Sequence, residues 1–556
     1  MHVAAAKLAL LAVAAAATSF SSHALADTGA RCLPHERDAL LAFKKGIAET
    51  TTASSFHGGG EGGGKKTAAG GAASGLEGQI SPCLVSLEHL EYLDLSNTGL
   101  RGINGSVPEF LGSFKNMRYL DLSYMNSITR LPPQLGNLSK LEYLDLSRTY
   151  LLQVPRQLGN LSSLRHLDLS QTPFFYQAND MPYMYNMIRG ISWLAHLHLL
   201  EYLDMSYIDL SMAVDWPHLF NSLPRLEALH LSNCSLPGTS YALTQLNLTE
   251  IVELDVSYND FGNPISTNNV PEFLGSMKNI RYLDLSETSI FSGRVPPQLG
   301  NLSNLRHLGL HLMHTDMYST DISWLTRLHL LEYLDTSSVN LSTLHDWPVV
   351  VNMIPHLNYL FFNDCSLPTA NQTLAHINLT KLEILLLDWN YFGHPIASCW
   401  FWKVSSIKML GLSGTYLDGP FPDALGGMTS LEVLYFHDNG NAATMTVDLK
   451  NLCALQWLFL DGSLSSGNIT EFMHKMPRCS PNQLDYLSLR DNNMTGTLPN
   501  VMRHLDSLSH LLLSNNSISG HIPGSICMFQ YMHRLDLSNN FLEGELPPCS
   551  RISAAN

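Results

Sequence analysis

One seven-residue phrase recurs along almost the whole chain and constrains its fold more than any other feature. It reads LEYLDLS from Leu90, LRHLDLS from Leu164 and MHRLDLS from Met532. Its middle leucine recurs 18 times, and most steps between successive copies are 23 to 29 residues. We number the repeating units coils 1 to 18 after these central leucines, which are Leu93, Leu120, Leu144, Leu167, Leu203, Leu229, Leu254, Leu283, Leu308, Leu334, Leu360, Leu385, Leu410, Leu434, Leu458, Leu487, Leu511 and Leu535.

A period of this length together with an L-x-x-L-x-L core is typical of the leucine-rich repeat. Each coil supplies one short strand, and its leucines become buried only when neighbouring coils stack on them. The stacked strands line a concave side, while the rest of each coil forms a wider convex side. We therefore predict an α/β solenoid, a leucine-rich-repeat horseshoe of about 18 coils with a parallel concave sheet.

A small polar residue or cysteine follows the strand serine by two positions in most coils. The repeat consensus has Asn or Cys at this position. A short donor there can turn inward and bond the backbone of the next coil, which satisfies amides that a tight bend would leave unpaired. We predict a structural role for these residues, which are Thr98, Thr149, Thr172, Cys234, Asn259, Thr288, Cys365, Asn390, Thr415, Asn439, Asn492, Asn516 and Asn540.

The composition excludes one class of partner. The net charge is −16 with 32 Lys and Arg residues, and no large basic cluster interrupts the acidity. The electrostatic signature of a nucleic-acid-binding protein is therefore missing, and we expect no nucleic-acid partner. A hydrophobic share of 45% against 14% charged residues indicates a continuous core.

The first residues predict secretion. Lys7 precedes an apolar run from Leu8 to Ala17, and Ala24-Leu25-Ala26 has the pattern of a cleavage site. The run is shorter than the roughly 20 residues of a membrane anchor, so we favour a signal peptide. We expect no membrane span in the chain as given. The predicted divisions are a signal peptide at 1–26, a partial N-terminal repeat cap at 27–56, a glycine-rich low-complexity linker at 57–75, the repeat array at 76–549 and a tail at 550–556.

Nine cysteines raise the question of pairing in an oxidising compartment. Cys234 and Cys365 occupy the inward position described above, where a thiol packs as a small inert donor. Cys453 and Cys479 lie about one coil apart and form a possible disulfide. The chain has no C-x-x-C pair, which argues against a zinc site.

No motif of a catalytic centre is present. The kinase motifs and the G-x-S-x-G elbow are missing, so we predict neither an enzyme nor a cofactor. His307, His311 and His314 lie close together in the sequence, but no carboxylate or cysteine accompanies them at ligand spacing. We therefore predict no metal site.

Several turns carry G-x-[IVLF]-P or a close variant, as at Gly293 to Pro296 and Gly520 to Pro523, and Cys32 begins the segment CLPHERDALLAFK. These features resemble the plant-specific subtype of the repeat, found in receptor-like proteins and in the ectodomains of receptor-like kinases. The resemblance covers nearly the whole predicted mature chain. It implies an extracellular module without a catalytic domain that binds a peptide or protein ligand and works with a co-receptor kinase in defence or development.

Two segments depart from that family. After Lys44 its cap continues with Trp and Cys-Cys-x-Trp, whereas this chain has a glycine-rich stretch from His57 to Gly75. After Cys549 the family continues with further repeats and a transmembrane helix, whereas seven residues follow here. We therefore expect a truncated receptor, secreted to the apoplast, or held at the plasma membrane if a longer form carries a transmembrane helix beyond residue 556.

Twelve N-x-[ST] sequons occur, and each is a possible glycan site in a secreted chain. Asn233 lies beside Cys234 and is the doubtful one. The NLS and NLT copies precede the strands, so we expect their glycans on the flank or convex side. The predicted glycosylation sites are Asn104, Asn137, Asn160, Asn247, Asn301, Asn340, Asn371, Asn378, Asn468, Asn493 and Asn515.

The residues beside the central leucines share one face of each strand, because side chains alternate with a period of two. In coils 1 to 10 they read mostly Tyr, Asp and Ser, whereas coils 11 to 16 carry apolar and aromatic residues edged by polar ones. Such a surface is typical of a binding hot spot, although drift in a duplicated gene would also produce it. The predicted ligand-binding residues are Tyr359, Phe361, Asp388, Tyr435, His437, Trp457, Phe459, Asp461 and Arg490.

Two alternatives stay open at this point. A freestanding secreted inhibitor of microbial cell-wall-degrading enzymes has the same fold, but those inhibitors have fewer coils and intact caps. The long step from Leu167 to Leu203 carries FFYQANDMPYMYNMIRG, which indicates either a binding loop or an enlarged coil.

Overall fold

The computed structural model describes residues 47–49, 74–101, 105–125, 128–151, 153–171, 190–237, 246, 248–259, 261, 270–288, 291–311 and 316–548. The predicted signal peptide, the tail and the long insertion of coil 4 lie outside these residues, as do most of the predicted cap and linker. Asn104, Asn247 and His314 are outside as well. The chain forms two compact units, residues 1–263 and 264–556.

Each unit contains a parallel sheet of three-residue strands, one strand per coil. The central leucine of one coil lies opposite that of the next, as Leu93 does with Leu120 and Leu360 with Leu385. The predicted solenoid with 18 coils is confirmed over the described residues, with seven such strands in the first unit and eleven in the second. The central leucines are buried at 3% exposure or less, except for Leu535 in coil 18.

The strands of the first unit are Tyr92–Asp94, Tyr119–Asp121, Tyr143–Asp145, His166–Asp168, Tyr202–Asp204, Ala228–His230 and Glu253–Asp255. Those of the second unit are Tyr282–Asp284, His307–Gly309, Tyr333–Asp335, Tyr359–Phe361, Ile384–Leu386, Met409–Gly411, Val433–Tyr435, Trp457–Phe459, Tyr486–Ser488, His510–Leu512 and Arg534–Asp536.

The returning segment of most coils is a short 3-10 helix, often entered through proline, whose fixed φ suits a helix start. Its glycine allows neighbouring coils to touch, because a Cβ on Gly136 would lie 2.2 Å from the carbonyl oxygen of Gln157. Within the described ranges, three coils have an α-helix instead, at Trp216–Asn221, Trp347–Val351 and Ile469–His474. The 3-10 helices are Pro82–Ser86, Glu109–Ser113, Pro133–Asn137, Arg156–Asn160, Ser192–His196, Glu272–Ser276, Pro297–Asn301, Ser323–Arg327, Ile396–Ser398, Trp400–Lys403, Asp423–Gly427, Arg503–Leu505 and Gly524–Met528.

Short strands on the flank pair between neighbouring coils. Near the start of the described chain, Ile47–Glu49 runs antiparallel to Ser74–Gln79, which is parallel to Thr98–Arg101. This second strand begins two residues inside the linker predicted at 57–75. The other flanking strands are Gly293–Arg294, Met317–Tyr318, Gly419–Pro420, Ala443–Thr444, Gly467–Asn468, Met494–Thr497, Ser517–Gly520 and Phe541–Leu542.

The fourth residue after the central leucine has a left-handed backbone in nearly every described coil. Asn97 has φ 53°, Asp364 has φ 51° and Asn515 has φ 58°. Asn and Asp tolerate this conformation better than other residues with a Cβ, whereas bulky side chains disfavour it. Tyr124 and Trp389 nevertheless occupy the same position, with φ 57° and φ 62°.

Most of the inward polar residues are buried and hydrogen-bonded, as predicted, but the direction of the bonds differs from the prediction. Thr98 and Asn540 are only partly buried, and Thr172 lies outside the described residues. Asn259 is fully buried, and its Nδ2 donates to the carbonyl oxygen of Leu231 in the preceding coil at 2.7 Å. Its Oδ1 accepts from the backbone N–H of Cys234 at 3.0 Å. Thr149 donates to Leu146 of its own coil, because its shorter side chain cannot reach farther. The ladder therefore ties each Asn to the preceding coil.

The cysteines at this position also act as donors. Cys234 is fully buried, and its thiol donates to the carbonyl oxygen of Met205 at 3.1 Å. Burial raises the pKa of this thiol and keeps it protonated at neutral pH. Cys453 and Cys479 form a disulfide with their Cα atoms 5.5 Å apart. Among the described residues, no helix is both long enough and apolar enough to cross a membrane.

Removal of one ladder asparagine tests how strongly the coils depend on it. Asn390 donates to Phe362 at 2.7 Å and to Leu387 at 2.9 Å, and it accepts from the N–H of Leu367 at 2.8 Å. Asn390→Ala leaves these groups unpaired inside the core, so we expect a loss of about 2–4 kcal/mol in the free energy of unfolding. Urea denaturation measures it. The exposed Lys381→Ala is the control, and equal stability of both variants would contradict the structural role.

The first unit also contains a row of half-buried aspartates beside the central leucines. Each accepts from the backbone N–H two residues later, as Asp168 does from Ser170 at 2.8 Å. Burial, together with the neighbouring Asp204 carboxylate, raises the pKa of Asp168 to about 7. No cation offsets this shift from the same strand, because burial lowers the pKa of His166 to about 4 and leaves its ring neutral.

This row predicts a pH dependence of stability. Because the folded-state pKa of Asp168 exceeds its ordinary value, the folded state holds the proton more tightly, and stability is lost as the pH rises from the ordinary carboxyl range to about 7. Relative to wild type, Asp168→Asn should therefore gain on the order of 2 kcal/mol between pH 4.5 and 7.5. Urea unfolding at both pH values measures the difference, with the exposed Asp215→Asn as a charge control. Parallel pH profiles for wild type and Asp168→Asn would contradict the assignment.

Candidate functional site

In the default coils, the residues beside the central leucine form regular stacks on the open face of the sheet. The rings of Tyr92 and Tyr119 lie 4.1 Å apart, and those of Tyr119 and Tyr143 lie 4.3 Å apart. The aspartate that follows the central leucine caps its own turn, as Asp145 does by accepting from the N–H of Ser147 at 2.8 Å. These contacts repeat from coil to coil and therefore belong to the scaffold.

Coils 11 to 16 break this pattern on the same face. We call their outward residues the face patch; beside the central leucines they are Tyr359, Phe361, Ile384, Leu386, Met409, Gly411, Val433, Tyr435, Trp457, Phe459, Tyr486 and Ser488. The register places Tyr435 opposite Phe459 and Val433 opposite Trp457. Trp457 is 39% exposed, whereas Tyr435 and Phe459 are half-buried. The structure thus assembles the predicted aromatic residues on adjacent strands.

The aromatic rings of the face patch form two groups separated by aliphatic residues. Tyr359 and Phe361 pack on Tyr333 of coil 10, with the Phe361 ring 5.2 Å from it. Farther along, Tyr435 stacks on Phe459 at 5.1 Å, and the rings continue through Tyr486 to His510. The residues predicted from the sequence did not include His510, which lies in coil 17 and has Tyr486 as its strand neighbour. The sequence did contain a signal for it, because His510 stands directly before the central leucine Leu511, as Tyr486 does before Leu487.

A different hydrogen-bond ladder replaces the lost aspartates in these coils. Asp388 lies two residues after the strand position that is apolar here, and its Oδ1 accepts from the N–H of Ser413 in the next coil at 2.6 Å. Asn363 accepts in the same way from the N–H of Asp388 at 3.0 Å. Gly411 makes room, because a Cβ there would lie 2.3 Å from Asp388 Oδ2. At these two turns the backbone N–H groups stay paired while the face becomes apolar.

The residues of the predicted polar rim therefore have different roles, and some of them hold the turns together. Asp461 Oδ1 accepts from the hydroxyl of Ser488 at 2.5 Å and from the N–H of Arg490 at 2.7 Å, so this carboxylate also supports the scaffold. Burial raises the pKa of Asp461, and that of Asp388 as well. Arg490 Nη2 lies 3.7 Å from Asp536 Oδ2, and its Nε makes no hydrogen bond within the described chain. His437 Nδ1 lies 2.9 Å from Asp438 Oδ2.

The histidines of coil 9 have carboxylate partners that the sequence spacing did not reveal. His307 Nε2 lies 3.5 Å from Asp284 Oδ2, and His311 Nε2 lies 2.9 Å from Glu287 Oε1. Both carboxylates come from coil 8, so they are partners across coils and not at ligand spacing in the sequence. Across the described ranges, no group of three His, Cys, Asp or Glu side chains is arranged to hold a metal ion.

Most predicted glycan sites lie on exposed loops or helix ends. Asn137, Asn160 and Asn301 end 3-10 helices at the same position of their coils and are exposed. Asn468 is exposed but caps an α-helix, since its side chain accepts from Thr470 and Glu471. Glycosylation of these residues stays a prediction. The remaining described sites, Asn340, Asn371, Asn378, Asn493 and Asn515, are exposed as well.

Comparison with known proteins agrees with this architecture. Residues 72–187 match the family model of the leucine-rich repeat region, and residues 279–302, 507–529 and 531–551 match the model of the leucine-rich repeat. The chain is 29% identical over 214 residues to Receptor-like protein EIX1 of Solanum lycopersicum, and 29% identical over 263 residues to Receptor-like protein EIX2 of the same organism. These matches cover 37% and 46% of this chain, but only 20% and 25% of the relatives' own lengths.

A solved structure shares the fold. The Arabidopsis receptor kinase HAESA, solved in complex with the peptide hormone IDA and the co-receptor SERK1, superposes with a TM-score of 0.57 at 21% identity. The superposition covers 93% of this chain and 91% of that chain.

The substitute ladder can be tested at Asp388. Asp388→Ala removes the acceptor for the N–H of Ser413, so we expect a loss of about 1–3 kcal/mol in the free energy of unfolding. Asp388→Asn is the matched control, because its amide oxygen can still accept and should keep most of the stability. Urea denaturation measures both variants, and equal effects of Ala and Asn would show that the hydrogen bond is not the cause.

Proposed function

We propose that this chain, a leucine-rich-repeat solenoid similar to plant receptor-like proteins, recognises a peptide or protein ligand outside the cell through the face patch. The observation that carries this proposal is the register that places Tyr435, Trp457 and Phe459 side by side on neighbouring strands. Partly exposed aromatic residues on a rigid sheet supply a large contact area at small entropic cost. The default coils at the same strand positions have stacked tyrosines and hydrogen-bonded aspartates instead.

The chemistry of the patch favours a polypeptide ligand. Its centre is aliphatic, with Ile384, Leu386 and Met409 between the two groups of rings. Its border has polar groups, among them the partly buried guanidinium of Arg490 and the ring of His437. An apolar centre with a polar border is the usual composition of a protein interface.

The structural and sequence neighbours support the same class of function. HAESA was solved with a peptide hormone and a co-receptor, and the tomato relatives are receptor-like proteins. We propose a peptide or protein ligand for this chain, with a co-receptor kinase that transmits the signal in defence or development. The predicted signal peptide and sequons support an extracellular location in the apoplast or at the plasma membrane.

A selection experiment tests the face patch without a known ligand. Random dodecapeptides displayed on phage would be selected against the purified wild-type chain, and the enriched peptides would be measured by biolayer interferometry. The double variant Trp457→Ala, Phe459→Ala should weaken their binding at least about tenfold, because two desolvated aromatic contacts are lost.

Tyr282→Ala is the matched control, since Tyr282 holds the strand position of Trp457 in a default coil. It should leave the affinity unchanged, and circular dichroism would verify the fold of both variants. Peptides that bind the double variant as tightly as wild type would place the ligand elsewhere and refute the proposal.

A further inference from the structure

A second group of exposed aromatic residues lies on the turns that follow the strands of coils 12 and 13. Trp389 is 47% exposed, Tyr391 is 68% exposed and Tyr416 is 49% exposed. The rings of Tyr391 and Tyr416 stack at 5.2 Å. We call these three residues the aromatic edge. None of them belongs to the strand positions of the face patch.

The backbone disfavours two of these residues, so local stability does not explain them. Trp389 has φ 62° and Tyr416 has φ 54°, a conformation that favours Gly, Asn or Asp. The equivalent position of Trp389 is Gly414 in coil 13, Asp438 in coil 14 and Gly462 in coil 15. Tyrosine also stands at this left-handed position in coils 2, 5 and 7, so the feature of coils 12 and 13 that indicates a contact outside the chain is the group of three exposed rings.

The rings of Trp389 and Tyr416 each lie against a glycine of the next coil. A Cβ on Gly414 would lie 2.4 Å from Trp389 Cε3, so a side chain there would collide with the indole. A Cβ on Gly440 would lie 3.7 Å from the Tyr416 ring. The backbone N–H of Trp389 also donates to the carbonyl oxygen of Ser413 at 2.7 Å. The rings are therefore held over the following coil while half of their surface stays open.

The first unit contains an internal example of what such a ring binds. Tyr124 and Arg148 occupy the Trp389 position in coils 2 and 3, and the Arg148 guanidinium carbon lies 4.7 Å above the Tyr124 ring. An arginine from the next coil thus covers the aromatic ring there. In coil 13 the residue at the Arg148 position is Gly414, so the chain supplies no arginine for Trp389 from that coil.

The charges around the aromatic edge complement a cation. From Glu383 to Met445 the sequence has six acidic residues and two lysines, and one lysine, Lys408, is paired with Glu383 at 2.9 Å. Asp364 and Asp438 are exposed at the Trp389 position of coils 11 and 14. Adjacent strands lie about 5 Å apart, so these two backbone positions are roughly one and two strand spacings from that of Trp389. No sequon lies between Asn378 and Asn468, which leaves this edge free of predicted glycans.

We propose that the aromatic edge binds an arginine-bearing segment of a partner polypeptide. A guanidinium stacks on the open surface of Trp389 and Tyr416, where cation–π attraction favours arginine over lysine. The carboxylates of Asp364 and Asp438 attract the same segment. This second surface does not depend on the ligand of the face patch.

Binding of fluorescein-labelled hexa-arginine, measured by anisotropy at physiological ionic strength, tests the proposal. Trp389→Asn suits the left-handed backbone, so the variant should fold at least as well as wild type while raising the Kd about fivefold. Adding Tyr416→Asn should bring the loss to about twentyfold. Hexalysine should bind more weakly than hexa-arginine, and Asp364→Asn with Asp438→Asn should flatten the dependence on salt.

The matched control is Tyr207→Asn, which replaces a tyrosine with φ 64° at the Trp389 position of coil 5. It should leave the Kd unchanged, as should the double variant Trp457→Ala, Phe459→Ala. Equal affinity of wild type and Trp389→Asn would overturn the proposal, and so would a loss confined to the face-patch variant. Trp389-dependent binding of cellohexaose without binding of hexa-arginine would also overturn it, because the edge would then be a platform for sugars.

Discussion

Burial of each coil's leucines by the next coil is the interaction on which the rest of this structure depends. A three-residue strand cannot shield Leu360 or Leu385 from water by itself, but the parallel register sets the two leucines against each other. This stacking leaves backbone groups at the turns inside the core. Asn259 and Asn390 satisfy them by reaching back to the preceding coil, so hydrophobic stacking and the inward hydrogen bonds require one another.

Because the stability lies in the interior, the open face of the sheet can vary. The aspartates of the default coils have a structural role on this face, since each caps its own turn. Coils 11 to 16 lose that residue, and in three of them Asn363, Asp388 and Asp461 accept from backbone N–H groups of the following coil instead. Two predicted rim residues are thus part of the scaffold, and their contribution is to let apolar residues occupy the face. Drift alone would not be expected to retain substitute acceptors at three of these turns, in coils 11, 12 and 15.

The repeat phrase was sufficient to predict the number of coils, the parallel strands, the buried ladder and the face on which aromatic residues gather. The period of two along a strand and the spacing between coils are local properties that can be read directly from the residues. Partners across coils could not be read in this way. The sequence did not reveal that Asn259 bonds the preceding coil, nor that Asp284 and Glu287 lie beside His307 and His311.

The sequence by itself determined that this chain is a leucine-rich-repeat solenoid and which strands depart from the common pattern, because leucine spacing decides which residues must be buried. Only the tertiary structure decided which departures are scaffold and which are free surface. Asp388 and Trp389 are neighbours in the chain, yet the Asp388 carboxylate is bonded to the next coil and half of the Trp389 side chain is open. The reason is that burial and hydrogen bonding at a turn depend on the residue one coil away, about 25 positions distant in the sequence.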